Sequence, residues 1–526
     1  MNRFSFHDLA APASFTQPGR LANVVRITPV ILGLSMSLSM SACVVGPNYN
    51  RPDAPVPIAY KEQEGWKQAQ PRDAVLRGAW WEAYGDPLLD GLMAQISVSN
   101  QNLAQAEARY RQAQALVLQS RAAYAPSVGA NLSTTRSSAG ARNGNSINNT
   151  GINNNNLQIQ NDGAANVTGA TTGSSGAINS NALTLGVSWE IDLWGRVQRT
   201  VEARNASAQA SAGDLEAARL SAQAQLAQTY FALRSLDSQQ DLLERTLIDY
   251  ERSVKLTQNQ YDAGIVAKAN LILAQTQLKS TQAQALDLGV QRAQFEHAIA
   301  LLVGKAPAEL SIDHGQLMAS VPNLPVALPS ALLERRPDIA AAERRMAAAN
   351  AETGVATAAY YPNLSFSASA GARTSVLGKL ISLPNRFWSL GPSLAATLFD
   401  GGARRAQVAQ ATAAYDGTVA AYRQVVLTGF QEVEDQLATL RILAQEAVVQ
   451  DEAMQLARRS VALANNQYKA GVVTYLNVVQ IQATALNAER TVIELLNRRL
   501  AASVLLIRAL GGGWDADAHP AGVGIE

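Results

Sequence analysis

Cysteine, histidine and long apolar runs are scarce in this chain of 526 residues. The single cysteine allows no disulfide within the chain and excludes metal centres built from several thiolates. The four histidines are scattered along the sequence and never take the spacing of paired metal ligands. We therefore expect neither a bound metal nor a cofactor.

Neither sign of charge predominates, because 43 Lys and Arg residues face 42 Asp and Glu residues. Nucleic-acid-binding proteins need a basic surface, so this balance argues against a nucleic-acid partner. The sequence also lacks the Gly-x-Ser-x-Gly motif, a phosphate-binding loop and any nucleophile accompanied by a base. We expect a protein that is not an enzyme.

An apolar run near the N-terminus, residues 27–40, is too short to span a membrane but suits the core of a signal peptide. It ends in Met40-Ser41-Ala42-Cys43, which resembles the bacterial lipobox, where the cysteine is lipidated and becomes the mature N-terminus. We expect a signal peptide at 1–42 and a lipid on Cys43, the alternative being an ordinary thiol beside another cleavage site. Val44 stands where lipoproteins kept in the inner membrane carry Asp, which favours the outer membrane.

No later stretch offers about 20 uninterrupted apolar residues, so any crossing of a membrane must use strands. Four segments alternate apolar with small polar residues, near 128–132, 183–191, 364–370 and 388–398. This period of two predicts barrel strands with one face to lipid and one to a wet lumen, although half-buried strands of a soluble sandwich alternate likewise. Four strands cannot enclose a lumen, so the barrel must be shared between chains.

The chain contains an internal tandem duplication. The Ala-Ala-Tyr-Ala-Pro motif at 122–126 recurs as Ala-Ala-Tyr-Tyr-Pro at 358–362, offset by 236, and the Tyr-Asp-Ala-Gly turn at 261–264 recurs at 468–471, offset by 207. Leu-Gly-Val-Ser at 185–188 is matched with Leu-Gly-Pro-Ser at 390–393, offset by 205. The first half thus carries extra residues in the Asn-, Gly-, Ser- and Thr-rich segment 133–181, which is typical of a disordered loop.

Each half is predicted to run helix, strand, loop, strand, very long helix, tight turn, long helix. Residues 197–260 and 403–467 contain no proline, and a helix of that length extends roughly 95 Å. A seam of mostly small residues, spaced by three and four, predicts close packing of the first long helix against a neighbour. Glycine in each tight turn supplies the left-handed cap that lets a second helix run back.

These patterns predict a mixed α and β fold with six segments. They are a signal peptide (1–42), a lipidated extended tether (43–85), a first repeat (86–305), an equatorial linker (306–329), a second repeat (330–510) and a C-terminal tail (511–526).

Several ordered motifs resemble those of the TolC-like outer-membrane efflux factors, in the lipoprotein subgroup paired with resistance-nodulation-division (RND) pumps, the NodT family. They are Cys-Val-Val-Gly-Pro-Asn-Tyr at 43–49, Trp80-Trp81, Arg-Arg-Pro-Asp-Ile at 335–339, Leu-Phe-Asp-Gly-Gly at 398–402 and the two duplicated turns. The resemblance implies a homotrimer in which twelve strands form one transmembrane β-barrel and twelve helical segments form a coiled-coil tunnel. It also implies a periplasmic adaptor protein and an inner-membrane RND-type pump as partners.

The resemblance also implies site residues at the periplasmic end of the tunnel. By the Tyr-x-x-Gly-x-x-x-Tyr-Leu motif, Tyr468 precedes the turn and Leu476 constricts the tunnel, although ordinary coiled-coil packing remains an alternative for Leu476. Gln480 stands where close relatives have an acid, so an acidic, cation-binding gate is not expected. The adaptor is expected to meet the turn residues, which are Gly264, Ile265, Gly471, Val472 and Thr474.

The sequence therefore predicts a passive outer-membrane conduit for small molecules, driven by a pump because the chain has no energy-coupling motif. Two alternatives remain open. The same architecture serves protein or peptide export in type I secretion, and a coiled-coil lipoprotein could span the periplasm without a pore.

Overall fold

The structure is a computed structural model that describes residues 44–54, 56–57, 59–62, 79–137, 177–322 and 335–512. The predicted signal peptide, Cys43, residues 513–526 and the central part of the predicted loop, 138–176, lie outside these residues.

The described residues form seven helices and four strands, and each half runs helix, strand, strand, long helix, helix, with one additional helix at the start of the first half. The helices are α1 (Pro87–Ser99), α2 (Gln101–Arg121), α3 (Arg196–Asp262), α4 (Lys268–Leu302), α5 (Pro337–Ala358), α6 (Ala403–Lys469) and α7 (Tyr475–Ala509). The strands are β1 (Ser127–Ser137), β2 (Ile178–Ile191), β3 (Asn363–Thr374) and β4 (Arg386–Ala395). Short 3-10 helices, including Trp80–Tyr84, occupy several of the connections. No helix in the described ranges has the length and apolar character needed to span a membrane.

The two halves match closely in their helical hairpins. Helices α3 and α6 have 67 residues each, and α4 and α7 have 35 each. At 1.5 Å per residue the longer pair extends about 100 Å, which confirms the prediction of two long hairpins. Both long helices begin directly after a glycine with positive φ, Gly195 at 77° and Gly402 at 93°. The left-handed cap fixes where each helix starts.

The second long helix has an additional acidic cap. Asp400 accepts hydrogen bonds from the backbone N–H of Gly402 at 2.9 Å and from the Arg404 side chain at 2.6 Å. The Arg404 side chain and these backbone donors lower the pKa of Asp400 to about 2. The cap is therefore charged at any physiological pH.

The strands form one antiparallel sheet in the order β1-β2-β3-β4. Strand β4 ends at Ala395, so the prediction that alternation continues through Thr397 and Leu398 is wrong. The carbonyl of Thr397 instead accepts a hydrogen bond from Arg404 at 2.7 Å, because the chain is already turning into α6. Residues 133–137 and 178–181, which we expected in the loop, belong to β1 and β2.

The strand register also corrects the expected offset of 205. Ser127 pairs with Ser188 in β1–β2, and Asn363, which lies 236 residues after Ser127, pairs with Ala395 in β3–β4. Ser188 therefore corresponds to Ala395, an offset of 207, which is also the offset between the starts of α3 and α6. The error arose because strand positions two residues apart lie on the same face, so alternation alone cannot distinguish them.

The main core is formed by residues from the middle of α3 together with residues of α1, α5, α6 and α7. Trp80, Met93, Phe231 and Tyr422 are buried there. Arg336, just before α5, is also buried, and it donates to Asp338 at 2.6 Å, to Glu432 at 2.7 Å and to the carbonyl of Ala509 at 3.1 Å. These bonds join α5, α6 and the end of α7, and Pro337 is the first residue of α5.

The described part of the N-terminal segment lies along the helices. Arg51 donates to the Tyr422 hydroxyl at 3.0 Å, and the backbone N–H groups of Lys61 and Glu62 donate to Glu434 at 2.6 and 2.9 Å. Nearer its start, the N–H of Val45 donates to the carbonyl of Trp194 at 3.1 Å. The segment therefore runs from the β2–α3 junction down the side of α6.

Candidate channel lining and periplasmic gate

The register of the sheet sorts its side chains into two chemically distinct faces. On one face Ser127, Ser188, Ser367 and Gly391 lie side by side across the four strands. Hydroxyl pairs bridge neighbouring strands there, with 3.1 Å between the oxygens of Ser127 and Ser188. This face is small, polar and mostly uncharged, which suits a wet lumen.

The opposite face of the sheet is apolar and exposed in the single chain. Val128, Leu132, Leu390 and Trp388 lie on it, each more than 60% exposed. A surface of this kind is stable against lipid and unfavourable in water. The sheet therefore has the two faces that a channel wall in a membrane requires.

The two hairpin tips have the same geometry. In the first, Gly264 has φ 72° and its N–H bonds to the carbonyl of Tyr261, while Ile265 bonds to the carbonyl of Gln260. In the second, Gly471 has φ 75° and the N–H groups of Gly471 and Val472 bond to the carbonyls of Tyr468 and Gln467. Such paired bonds close a helix with a left-handed glycine.

The tips expose matching apolar side chains. Ile265 and Val472 are each 71% exposed. Thr474, just before α7, is exposed and makes no capping bond with its side chain. Nothing lies within 4 Å of where a Cβ on Gly264 or Gly471 would be. The five predicted adaptor-contact residues thus lie on an open surface.

Tyr468 links the two hairpins. Its hydroxyl donates to Oε1 of Gln260, on α3, at 2.8 Å, and its ring packs against Tyr475 with 5.4 Å between centroids. Burial raises the pKa of the Tyr475 phenol to about 12, against a weaker opposing effect of the hydrogen bond to Ser253. We call the Tyr468–Gln260 hydrogen bond the hairpin link.

Leu476 and Gln480 lie on a different surface from Tyr468. They are one helical turn apart on α7, and both are exposed, Leu476 by 50%. Tyr468 is only 9% exposed and belongs to a buried cluster with Ala274 and Val478. Within one chain the three predicted gate residues therefore divide into a buried link and an exposed face.

Sequence reasoning missed the partners of Tyr468. Gln260 directly precedes the duplicated Tyr-x-Ala-Gly turn, so its position was visible, but its contact across to the other hairpin was not. A cavity of about 510 Å³ lies between α3 and the α6–α7 hairpin beside this link, lined in part by Tyr250, Ser253, Arg458 and Tyr475. The two hairpins are thus joined by a hydrogen bond at their tips and pack less closely beside that bond, where the cavity lies.

The part of the chain that the structure describes holds no group of three or more His, Cys, Asp or Glu side chains suited to a metal ion. Cys43 itself lies outside that part. Its neighbour Val44 contacts the β2–α3 junction, because a Cβ on Gly195 would come within 2.9 Å of a Val44 methyl group.

Comparison with known families identifies the chain. The model of the family described as "Outer membrane efflux protein" matches residues 92–305 and 328–512. The chain is 30% identical over 482 residues to the pyoverdine export outer membrane protein OpmQ of Pseudomonas aeruginosa, covering 91% of this chain and 97% of OpmQ. It is 28% identical to the toluene efflux pump outer membrane protein TtgF of Pseudomonas putida, covering 92% and 97%.

Solved structures agree with these relatives. The outer-membrane channel OprN has a TM-score of 0.77 at 29% identity, with 90% of this chain and all of that chain covered. VceC of Vibrio cholerae has a TM-score of 0.71 at 26% identity, with 83% and 99% covered. The fold is thus that of trimeric channels with a shared β-barrel and helical barrel, as the motifs predicted. The chain belongs to the outer membrane efflux protein family and is the outer-membrane channel of a tripartite efflux system.

Proposed function

We propose that this channel is anchored by a lipid on Cys43 and carries small organic molecules from an inner-membrane RND pump through a periplasmic adaptor. Two observations together carry the proposal. The sheet has one polar and one apolar face, and the two helical hairpins are hydrogen-bonded to each other at their tips, where the tunnel can narrow. The relatives named above export pyoverdine and toluene. A lumen lined by small hydroxyl groups favours no particular charge, which suits a broad range of cargo.

The position of Val44 supports the lipid anchor. Val45 is hydrogen-bonded to Trp194 at the end of β2, where the sheet gives way to α3. An acyl chain on Cys43, two residues before Val45, would enter the membrane beside the barrel wall. The position of Val45 at the end of the sheet supports such an anchor.

The hairpin tips support the adaptor contact. Ile265 and Val472 present exposed apolar side chains at equivalent positions, two per chain and six per trimer. Apolar side chains exposed in such a repeated pattern are typical of a protein contact surface. An adaptor that carries a matching ring of apolar side chains would bind end to end with the tunnel.

The proposed gate has two parts. Around the trimer axis, three copies of Leu476 narrow the tunnel by bulk and by disfavouring water, with Gln480 forming a neutral ring one turn above. The hairpin link holds each second hairpin against the first, and so holds the leucines inward. The cavity beside the link gives the second hairpin room to rotate when the link breaks.

The proposed gate is tested by measuring the single-channel conductance of the purified protein in planar bilayers. Leu476→Ser is expected to raise resting conductance and, in cells, sensitivity to large antibiotics, while divalent cations block the wild-type channel only weakly. Leu286→Ser is the matched control, because Leu286 is 78% exposed but lies in the middle of α4, away from the tips. Unchanged conductance in Leu476→Ser would assign this residue to packing, and strong divalent block abolished by Gln480→Ala would make the Gln480 ring the gate.

A further inference from the structure

The duplication relates contacts inside one chain to contacts between neighbouring chains. Inside the chain, β2 and α3 of the first half pack against β3 and α5 of the second half. Among the described residues the equivalent elements lack such a partner, because β4 pairs only with β3 and β1 only with β2, and α6 packs mainly on α5 and α7. A free edge is not stable in lipid, so β4 must meet β1 of another copy.

Two features that occur in both halves show which residues are equivalent. The Ala-Tyr-x-Pro motifs relate Tyr124 to Tyr360, an offset of 236. The left-handed glycines relate Gly195 to Gly402, an offset of 207. The sheet gives an independent check, since Ser127 and Ser188 pair in the first half and the residues found by applying the two offsets also pair in the second. Both offsets therefore hold through the strands.

The register of the seam between protomers follows from these offsets. Gly186 of β2 lies opposite Ser369 of β3. Gly186 corresponds to Ser393 in β4, and Ser369 corresponds to Ser133 in β1. We propose that β4 of one protomer pairs with β1 of the next copy of this chain in the register that places Ser393 opposite Ser133.

The two faces of the sheet agree with this register. It places Leu394 opposite Leu132 of the neighbouring copy, and these side chains are 66% and 65% exposed in the single chain. The serine pair then continues the polar face across the seam. A shift of one residue would set Leu394 against a polar residue and break both faces.

The helices below the sheet support the same equivalence. In α3, the small residues Ala206 and Gly213 pack against α5, and a Cβ on Gly213 would come within 2.8 Å of the Pro337 carbonyl. Their equivalents in α6, at the offset of 207, are Ala413 and Ala420, both exposed in the single chain. Helix α6 therefore offers the same close-packing surface to α2 of the next copy that α3 offers to α5.

The test is disulfide cross-linking of the full-length protein purified in detergent. Ser133→Cys with Ser393→Cys in one chain is expected to give covalent dimers and trimers on oxidation, seen on a non-reducing gel. Moving one cysteine four residues, as Gly129→Cys with Ser393→Cys, separates the thiols by about 13 Å, so this variant should stay monomeric on the same gel. The single variant Ser393→Cys controls for cross-links through Cys43.

A second in-register pair keeps the test decisive if the first variant fails to assemble. Asn131→Cys with Ala395→Cys should give the same ladder. The proposal rests on the trimer, so the mass of the native particle is measured in parallel. A trimer whose in-register pairs do not cross-link, or whose off-register pair does, overturns the register alone. A wild-type monomer overturns the trimer and the seam together.

Discussion

The Tyr468 hydroxyl is hydrogen-bonded to the other hairpin, so the proposed gate is expected to depend on this single oxygen atom. Tyr468→Phe keeps the ring against Tyr475 but removes the donor to Gln260. A neutral hydrogen bond contributes about 0.5–1.5 kcal/mol, so the closed hairpin should lose about that much relative to the open one. We therefore expect Tyr468→Phe channels in planar bilayers to have a higher open probability than wild-type channels. The increase should be about two- to tenfold for each hairpin link, if the links act independently.

Tyr261→Phe is the matched control for this change. Tyr261 lies beside Gln260 at the same depth and is 37% exposed. Its loss of a hydroxyl should leave gating unchanged. An equal effect of both variants would mean that the tip is merely loosened, and no effect of Tyr468→Phe would remove the hairpin link from the gate.

At this scale the positions of the residues could be predicted from the sequence, but the directions of their side chains could not. The turn motif located Tyr468 and Leu476, because glycine requires a left-handed position that a motif can reveal. Whether each side chain is buried between hairpins or exposed on α7 depends on how the hairpins rotate about their axes. That rotation is set by contacts such as Gln260 with Tyr468, more than 200 residues apart in the chain.

The hairpin tips are the elements that a partner can reach, and their apolar side chains make a direct prediction. Ile265→Asp with Val472→Asp places six carboxylates per trimer where six apolar side chains were exposed. Burying a carboxylate without a partner is costly, so an adaptor that docks there should no longer bind. We expect loss of co-purification with the periplasmic adaptor, while the trimer itself stays intact.

The control places the same change on an exposed apolar residue away from the tips. Leu286→Asp, on α4, should leave adaptor binding unchanged. Retained binding in the double tip variant would move the adaptor contact elsewhere on the hairpins.

Helices were easier to predict than strands at the element scale. The expected helix 197–260 differs from Arg196–Asp262 by one or two residues at each end, because proline is absent and a glycine cap stands at the boundary. Strand β4 was extended too far through Leu398, and its offset was misjudged by two, because a period of two repeats the same face at every second residue. Only the pairing with β3 resolves that ambiguity.

The whole molecule has two independent attachments to the membrane, the shared barrel and the proposed lipid on Cys43. An acyl chain contributes about 0.8 kcal/mol per buried CH₂, and two or more chains together give a stable anchor. A closed barrel also satisfies every backbone group and exposes an apolar face to lipid. The barrel is therefore expected to hold the assembled channel, and the lipid to hold the chain at the membrane before three copies have met.

Cys43→Ser separates these two attachments. We expect no incorporation of labelled fatty acid and a smaller yield of trimer, while the trimers that do form conduct like the wild type, because the tether still bonds Val45 to Trp194 and Arg51 to Tyr422. The measurements are fatty-acid labelling, trimer yield in the outer-membrane fraction and single-channel conductance. Val44→Ser is the matched control, since it changes the neighbouring residue and leaves the thiol in place. Absence of label in the wild type refutes the lipid anchor, and altered conductance in Cys43→Ser trimers would show that the lipid shapes the open channel as well as the assembly.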